Sequence, residues 1–157
     1  MVTALYGENK EILINTEAKI GATAGWVLGG GAVNTGEMAT CPASKTASTL
    51  VVPVMGLRVN DVIVGFSVNG QIESAGAAAT LDADLRAMTI VAGANTDASI
   101  GTIAQVSITA DTAVASEKTG LSEVVSKGKT YYVLLTATTA ALTDIVLSNI
   151  TVTTSGS

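Results

Sequence analysis

The sequence predicts an all-β protein, a single antiparallel β-sandwich with an N-terminal arm; a barrel is the alternative closure. Three observations carry this. Apolar residues recur at every second position in most runs after residue 26. Turn-forming residues break these runs into eight or nine short strands with no substantial helix between them. Alanine, threonine and valine supply 64 of the 157 residues, and proline only 2, which favours pleated surface and small-residue packing. A chain of this length holds one domain with a sizeable core and is short for two.

Residues 1–25 differ from the rest. Glu8, Lys10, Glu11, Glu17 and Lys19 surround Ile12, Leu13 and Ile14, and the segment reads as an arm holding one short strand or helix. It either packs on a neighbouring subunit or supplies a first strand to the same sandwich. Residues 26–157 form the sandwich. Its first strand, 26–33, contains Gly29, Gly30 and Gly31, the mark of a bulge or close backbone approach. Residues 49–55 read as a buried strand, with Pro53 favouring an edge or a strand end. Residues 61–68 place Val62, Val64, Phe66 and Val68 on one face. Asn69-Gly70 then predicts a type I′ turn, because both residues tolerate positive φ, with a return strand over 71–75.

The alternation is cleanest over 80–89, where Leu81, Ala83, Leu85 and Ala87 oppose Asp82, Asp84, Arg86 and Met88. A half-buried strand fits this pattern, although the residues are also good helix formers. Residues 93–99 read as a polar loop, 102–109 and 112–117 as strands, and 120–126 as a helical turn ended by Lys127-Gly128-Lys129. A long strand follows over 130–140. The last, 144–153, carries Ile145 and Leu147 and then, after a change of phase, Ile150 and Val152.

Composition excludes much chemistry. The chain has no histidine and one cysteine, Cys41. That removes the commonest general base, serine–histidine triads, histidine-ligated zinc and an internal disulfide framework. Cys41 lacks a histidine partner and reads as a free buried thiol. The net charge of −5 disfavours nucleic acid and anionic membranes as partners. No apolar run approaches the ~20 residues of a spanning helix, and residues 1–10 lack the form of a signal peptide. No cofactor is expected. Charged residues are 13% of the chain, about half the usual share, which favours association with itself or with a lattice.

Few residues remain as site candidates. Asp82 and Asp84 share one strand face about 6–7 Å apart; such a pair could serve acid–base sugar hydrolysis or, as the better option, form a weak calcium candidate that Asp97 or Asp111 could join if the fold brings them close, and a solvated face that Arg86 partly neutralises is the simpler reading. Trp26, Tyr131 and Tyr132 could stack on sugars, or serve as core or interface anchors. Gly29-Gly30-Gly31 lacks the lysine and following helix of a phosphate loop. Asn149-Ile150-Thr151 matches a glycosylation acceptor but falls within a strand.

Several segments together resemble small jelly-roll proteins of tailed bacteriophages, the head decoration or minor capsid proteins. They are Thr40-Cys41-Pro42-Ala43-Ser44, Leu57-Arg58-Val59-Asn60-Asp61, Ile103-Ala104-Gln105-Val106-Ser107, Gly128-Lys129-Thr130-Tyr131-Tyr132-Val133, and Asp144-Ile145 ahead of Ile150-Thr151-Val152. The likeness spans 40–153 and is one of strand rhythm rather than a diagnostic motif. It implies a jelly-roll, no catalytic residues, and a homotrimer that binds the major capsid protein at the virion surface. Ile12, Leu13, Ile14, Trp26 and Tyr131 are then the candidate oligomer or lattice contacts. The alternatives are a carbohydrate-binding or fibre sandwich and a subunit of an extracellular filament whose arm completes a neighbour's sheet. An enzyme is not expected.

Overall fold

A computed structural model describes residues 7–12, 25–28, 39–74, 77–108 and 112–155. These hold ten strands and no helix: β1 (Gly7–Ile12), β2 (Val27–Leu28), β3 (Ala39–Cys41), β4 (Lys45–Pro53), β5 (Val62–Ser74), β6 (Ala79–Val91), β7 (Ala94–Ile108), β8 (Thr112–Val124), β9 (Lys129–Thr139) and β10 (Thr143–Ser155).

The pairing is nested. β6 and β7 form a hairpin, and outside it β5 pairs β8, β4 pairs β9 and β3 pairs β10, all antiparallel. This is one long double ribbon. Rolling it up brings β10 beside β5 and β9 beside β6. Two sheets result, one ordered β2-β3-β10-β5-β8 with β1 also on β10, the other β4-β9-β6-β7. Among the links from β3 to β10, only that between β6 and β7 stays within one sheet. A ribbon rolled in this way is a jelly-roll.

The period-two pattern builds the core. Leu81, Ala83, Leu85 and Ala87 of β6 and Tyr131, Val133, Leu135 and Ala137 of β9 point inward, against Ile63, Phe66, Val68 and Ile72 of β5 and Ile145, Leu147, Ile150 and Val152 of β10. The phase change in β10 is a bulge: its register on β5 shifts between Leu147 and Asn149, leaving Ser148 exposed. Pro53 ends β4, an edge strand, where its missing N–H costs no ladder bond. At the β3–β4 corner the Thr139 hydroxyl donates to Pro42 O (2.7 Å) and accepts from Lys45 N (3.0 Å).

Three expectations need correction, and one of the two readings of the arm is taken up. Asn69-Gly70 makes no turn; both lie inside the 13-residue β5. Gly70 is required by proximity: a Cβ there would sit 2.2 Å from Val146 O and 3.0 Å from Leu147 Cα. The Asn69 side chain meets the bulge, donating to Asn149 Oδ1 at 2.6 Å. The polar run is strand from Ala94 onward, since only a two-residue turn, 92–93, separates β6 from β7. Residues 120–124 continue β8 rather than forming a helical turn; Gly120, at φ +73°, lies where the register on β5 shifts. Part of the arm is a strand of this sandwich: β1 pairs β10 from Gly7 opposite Ser155 to Ile12 opposite Ile150. Leu13, Ile14, Gly29–Gly31 and Asp111 lie outside the described residues.

Gly70→Ala tests the close approach. The new methyl must displace the Val146 carbonyl within a paired strand, so urea unfolding should show a loss of about 3 kcal/mol. If Gly70 served only a turn, alanine at its ordinary φ would cost far less.

Candidate functional site

The outer face of the β4-β9-β6-β7 sheet carries the densest set of interacting polar side chains among the described residues. Alternation decides its membership, because residues between the core positions must point outward. Register then sets them in rows. Pro53 of β4 lies opposite Tyr132 of β9, Tyr132 opposite Arg86 of β6, and Arg86 opposite Ser99 of β7. The next row runs Val51, Leu134, Asp84, Thr102. The face is thus graded, with Val51, Pro53 and Leu134 on one side, Tyr132 at the boundary, and charged groups beyond.

Those charged groups form one network. The Arg86 Nε donates to both oxygens of Asp97 (3.2 and 3.1 Å), and its Nη1 to Asp84 Oδ2 (2.5 Å). Ser99 Oγ donates to the other Asp84 oxygen (2.5 Å), and the Tyr132 hydroxyl to Asp97 Oδ2 (2.7 Å). The guanidinium is held firmly protonated, first by its hydrogen bond to Asp84 and also by Asp97. The Tyr132 phenol is raised by burial and then by Asp97, which accepts its proton. Arg86 and Asp84 are about one-fifth exposed, so the network's main effect is to fix geometry rather than to stabilise the fold.

The candidate residues separate clearly. Asp82 and Asp84 do share this face, and Asp97 joins Asp84, but the cation between those two carboxylates is Arg86. Among the described residues no group of three or more His, Cys, Asp or Glu side chains could hold a metal ion. Trp26 and Tyr131 are buried, 6% and 3% exposed, which places them in this chain's own core rather than at an interface. Trp26 Nε1 donates to Ser48 O (3.3 Å). The Tyr131 hydroxyl donates to Glu123 Oε1 (3.2 Å) and accepts from Ser126 N (3.2 Å), and Lys129 Nζ holds the same Glu123 oxygen at 2.7 Å. Ile12 sits at the end of β1. Cys41 is a free, fully buried thiol that burial pushes up.

Of the three aromatic candidates, only Tyr132 reaches the surface. The sequence signal that separates it from Tyr131 is its strand face: Tyr131 alternates in step with Val133, Leu135 and Ala137, and Tyr132 with Leu134, Thr136 and Thr138. A concavity of about 460 Å³ crosses the outer face of the other sheet between Ser67, Glu117, Lys118, Thr151 and Thr153, with Gly65 also lining it. A Cβ on Gly65 would lie 2.6 Å from Lys118 O.

No family model matches this sequence. No curated protein matches it either. Solved structures are similar to it. One is the carbohydrate-binding module CBM36 in complex with calcium and xylotriose, 14% identical with a TM-score of 0.51 over 93% of this chain and 98% of that one. Another comprises the CBM22-1 and GH10 modules of Clostridium thermocellum endo-1,4-beta-D-xylanase 10B with xylohexaose. It is 13% identical with a TM-score of 0.45, over 75% of this chain and 22% of that one. At these identities the likeness is one of fold, and only the first match is close enough to bear on it.

The two tyrosines make alkaline stability a test of this geometry. Burial raises both phenols above their ordinary value of 10.0. The unfolded chain therefore loses its phenolic protons first, and the stability they contribute is full below pH 10 and declines as pH rises above it. Urea unfolding between pH 8 and 11.5 should show that decline, and Tyr131→Phe should flatten it. A wild-type curve unchanged up to pH 11.5 would contradict the buried, hydrogen-bonded placement.

Proposed function

We propose that this chain is a non-catalytic carbohydrate-binding β-sandwich that holds a glycan on the outer face of the β4-β9-β6-β7 sheet. One observation carries the reading: Tyr132 stands where an apolar strip meets a fixed hydrogen-bonding network. A sugar ring has the same division, with C–H groups on its faces and hydroxyls at its rim. The ring would lie over Tyr132 and Leu134. Asp84, Asp97 and Ser99 would accept hydrogen bonds from hydroxyls, and Arg86 would donate to them. Because the network is already assembled, ordering it on binding would cost little.

Two further points support the reading. The similar fold with the higher TM-score is a module that binds a xylo-oligosaccharide, and the absence of histidine argues against general acid–base catalysis. The proposal carries no calcium, because the described residues offer no ligand set for it. The head-decoration resemblance rests on sequence segments alone, and neither the fold nor its similar structures add to the expected trimer, capsid partner or virion location.

The test is retention by soluble polysaccharides in native affinity electrophoresis, starting with xylan and followed by calorimetry on the oligosaccharide series. Tyr132→Ala should weaken binding at least about tenfold, and Arg86→Ala by a similar factor, while circular dichroism stays unchanged. Ser67→Trp, which fills the concavity on the opposite sheet, should leave binding intact. Retention that survives Tyr132→Ala and fails with Ser67→Trp would move the site to that concavity. No retention by any polysaccharide would refute the reading.

A further inference from the structure

The two ends of the sandwich differ in a way that the glycan site does not use. Of the seven large apolar side chains exposed among the described residues, Met55, Val59, Ile90, Val91 and Val124 lie at one end. They belong to the β4–β5 loop, the β6–β7 hairpin and the end of β8, and the backbone ties those segments into one platform. Asn60 N donates to Val125 O (2.8 Å), Val125 N to Asp61 O (2.8 Å) and Ile90 N to Gly128 O (3.4 Å). The exposed charges on this platform are Arg58 and Lys127. Its acidic groups are already engaged: Asp61 is buried and accepts from Arg58 N, and Glu123 pairs with Lys129. Among the described residues this platform is therefore apolar and basic on a chain whose net charge is −5.

Among the described residues the opposite end carries one exposed large apolar side chain and two carboxylates, with Lys45 at the start of β4 as its cation. Leu142 protrudes there, 79% exposed and at φ 63°. One rung further in, Glu73 of β5 lies directly opposite Asp144 of β10. Like charges in directly opposed positions destabilise a sheet. Among the described residues no ion pair supplies either carboxylate with a cation. The two ends cannot meet within one chain, because the 13 residues of β5 that join them span about 40 Å.

We infer that the basic, apolar end of one copy docks on the acidic, apolar end of a second copy, head to tail. Arg58 and Lys127 would face Glu73 and Asp144, and Ile90, Val91 and Met55 would cover Leu142. A two-fold contact between like ends would set Arg58 and Lys127 against themselves, so charge favours the heterologous arrangement. Such a contact does not close on itself and propagates as a linear chain of subunits unless its rotation closes a ring.

Light scattering over a hundredfold range of concentration at low salt reads this directly. The wild-type mass should climb with concentration and fall again when salt is added. Arg58→Glu with Lys127→Glu makes both ends acidic, and Glu73→Lys with Asp144→Lys makes both ends basic. Each double variant alone should associate about tenfold or more weakly. Mixing the two should restore assembly, and so should combining all four substitutions in one chain. Ile90→Ser with Val91→Ser should also weaken it, and these exposed positions leave the core intact. A wild-type chain monomeric throughout overturns the proposal. So does a dimer that persists when the acidic end is reversed, which means a contact between like ends, or a monomer that instead sediments with anionic phosphatidylserine vesicles. Glycan retention by the monomeric variants is a separate readout, so either result can fail without the other.

Discussion

Strand β10 has no free edge, and the rest of the sandwich depends on that. One side is taken along its length by β5, and the other is shared by β3 and β1. Its inward side chains, Ile145, Leu147, Ile150 and Val152, have no exposure at all. A last strand saturated on both edges and buried on one face depends on β5, β3 and β1 together for its backbone hydrogen bonds. The nested pairing makes this long-range: the outermost rungs join residues near 40 to residues near 146. Loop-closure entropy opposes such pairing, and burial of the strand's apolar face offsets it. The bulge at Ser148 follows from the same crowding, because β10 must keep apolar residues inward on both sides of the point where its upper partner changes from β3 to β1.

The same saturation explains which parts of the fold were legible in the sequence. β6, β9 and β10 each bury one face, so their side chains alternate over most of their length and the strands are readable. The phase change in β10 was readable too, since an odd spacing between Leu147 and Ile150 in a strand requires a bulge. β7 and β8 were misread because they are edge strands with many exposed residues on both faces. Without a buried face there is no period to detect, and polar composition then imitates a loop. Asn69-Gly70 shows the opposite hazard. Glycine serves both positive φ and close approach, and a single sequence does not say which; the deciding atom, Val146 O, lies 76 residues further along the chain.

The candidate site was half legible. The outward set Asp82, Asp84, Arg86 is written in β6, but its partners come from other strands at positions that register alone determines. Asp97 falls within a run whose composition suggests a loop, yet a tight hairpin carries it back across from Met88, within reach of Arg86 and Tyr132. Two adjacent tyrosines in one strand must face opposite ways. Choosing between them requires the faces of their neighbours to be compared. Tyr131 then falls to the core with Val133 and Leu135, and Tyr132 to a face of leucine and threonine.

Scarcity of charge gives the remaining charged residues unusual weight. In a surface crowded with ion pairs, one arginine network or one carboxylate pair would be unremarkable. Here threonine and serine cover most of the outer faces, and the exposed charges fall in a few places. One group closes on itself: Arg86 with Asp84 and Asp97 is neutralised locally and leaves a rigid set of donors and acceptors. Glu117 and Lys118 adjoin each other on β8, while two further pairs, Arg58 with Lys127 and Glu73 with Asp144, lie at opposite ends of a sandwich about 40 Å long, each beside exposed apolar side chains. Glu73 directly opposite Asp144 costs the isolated chain free energy, and contact with the opposite sign relieves it. The closed network suits a neutral, hydroxyl-rich ligand on the flank of the sandwich. The open pairs suit a charged protein surface at its ends, which leaves that flank accessible.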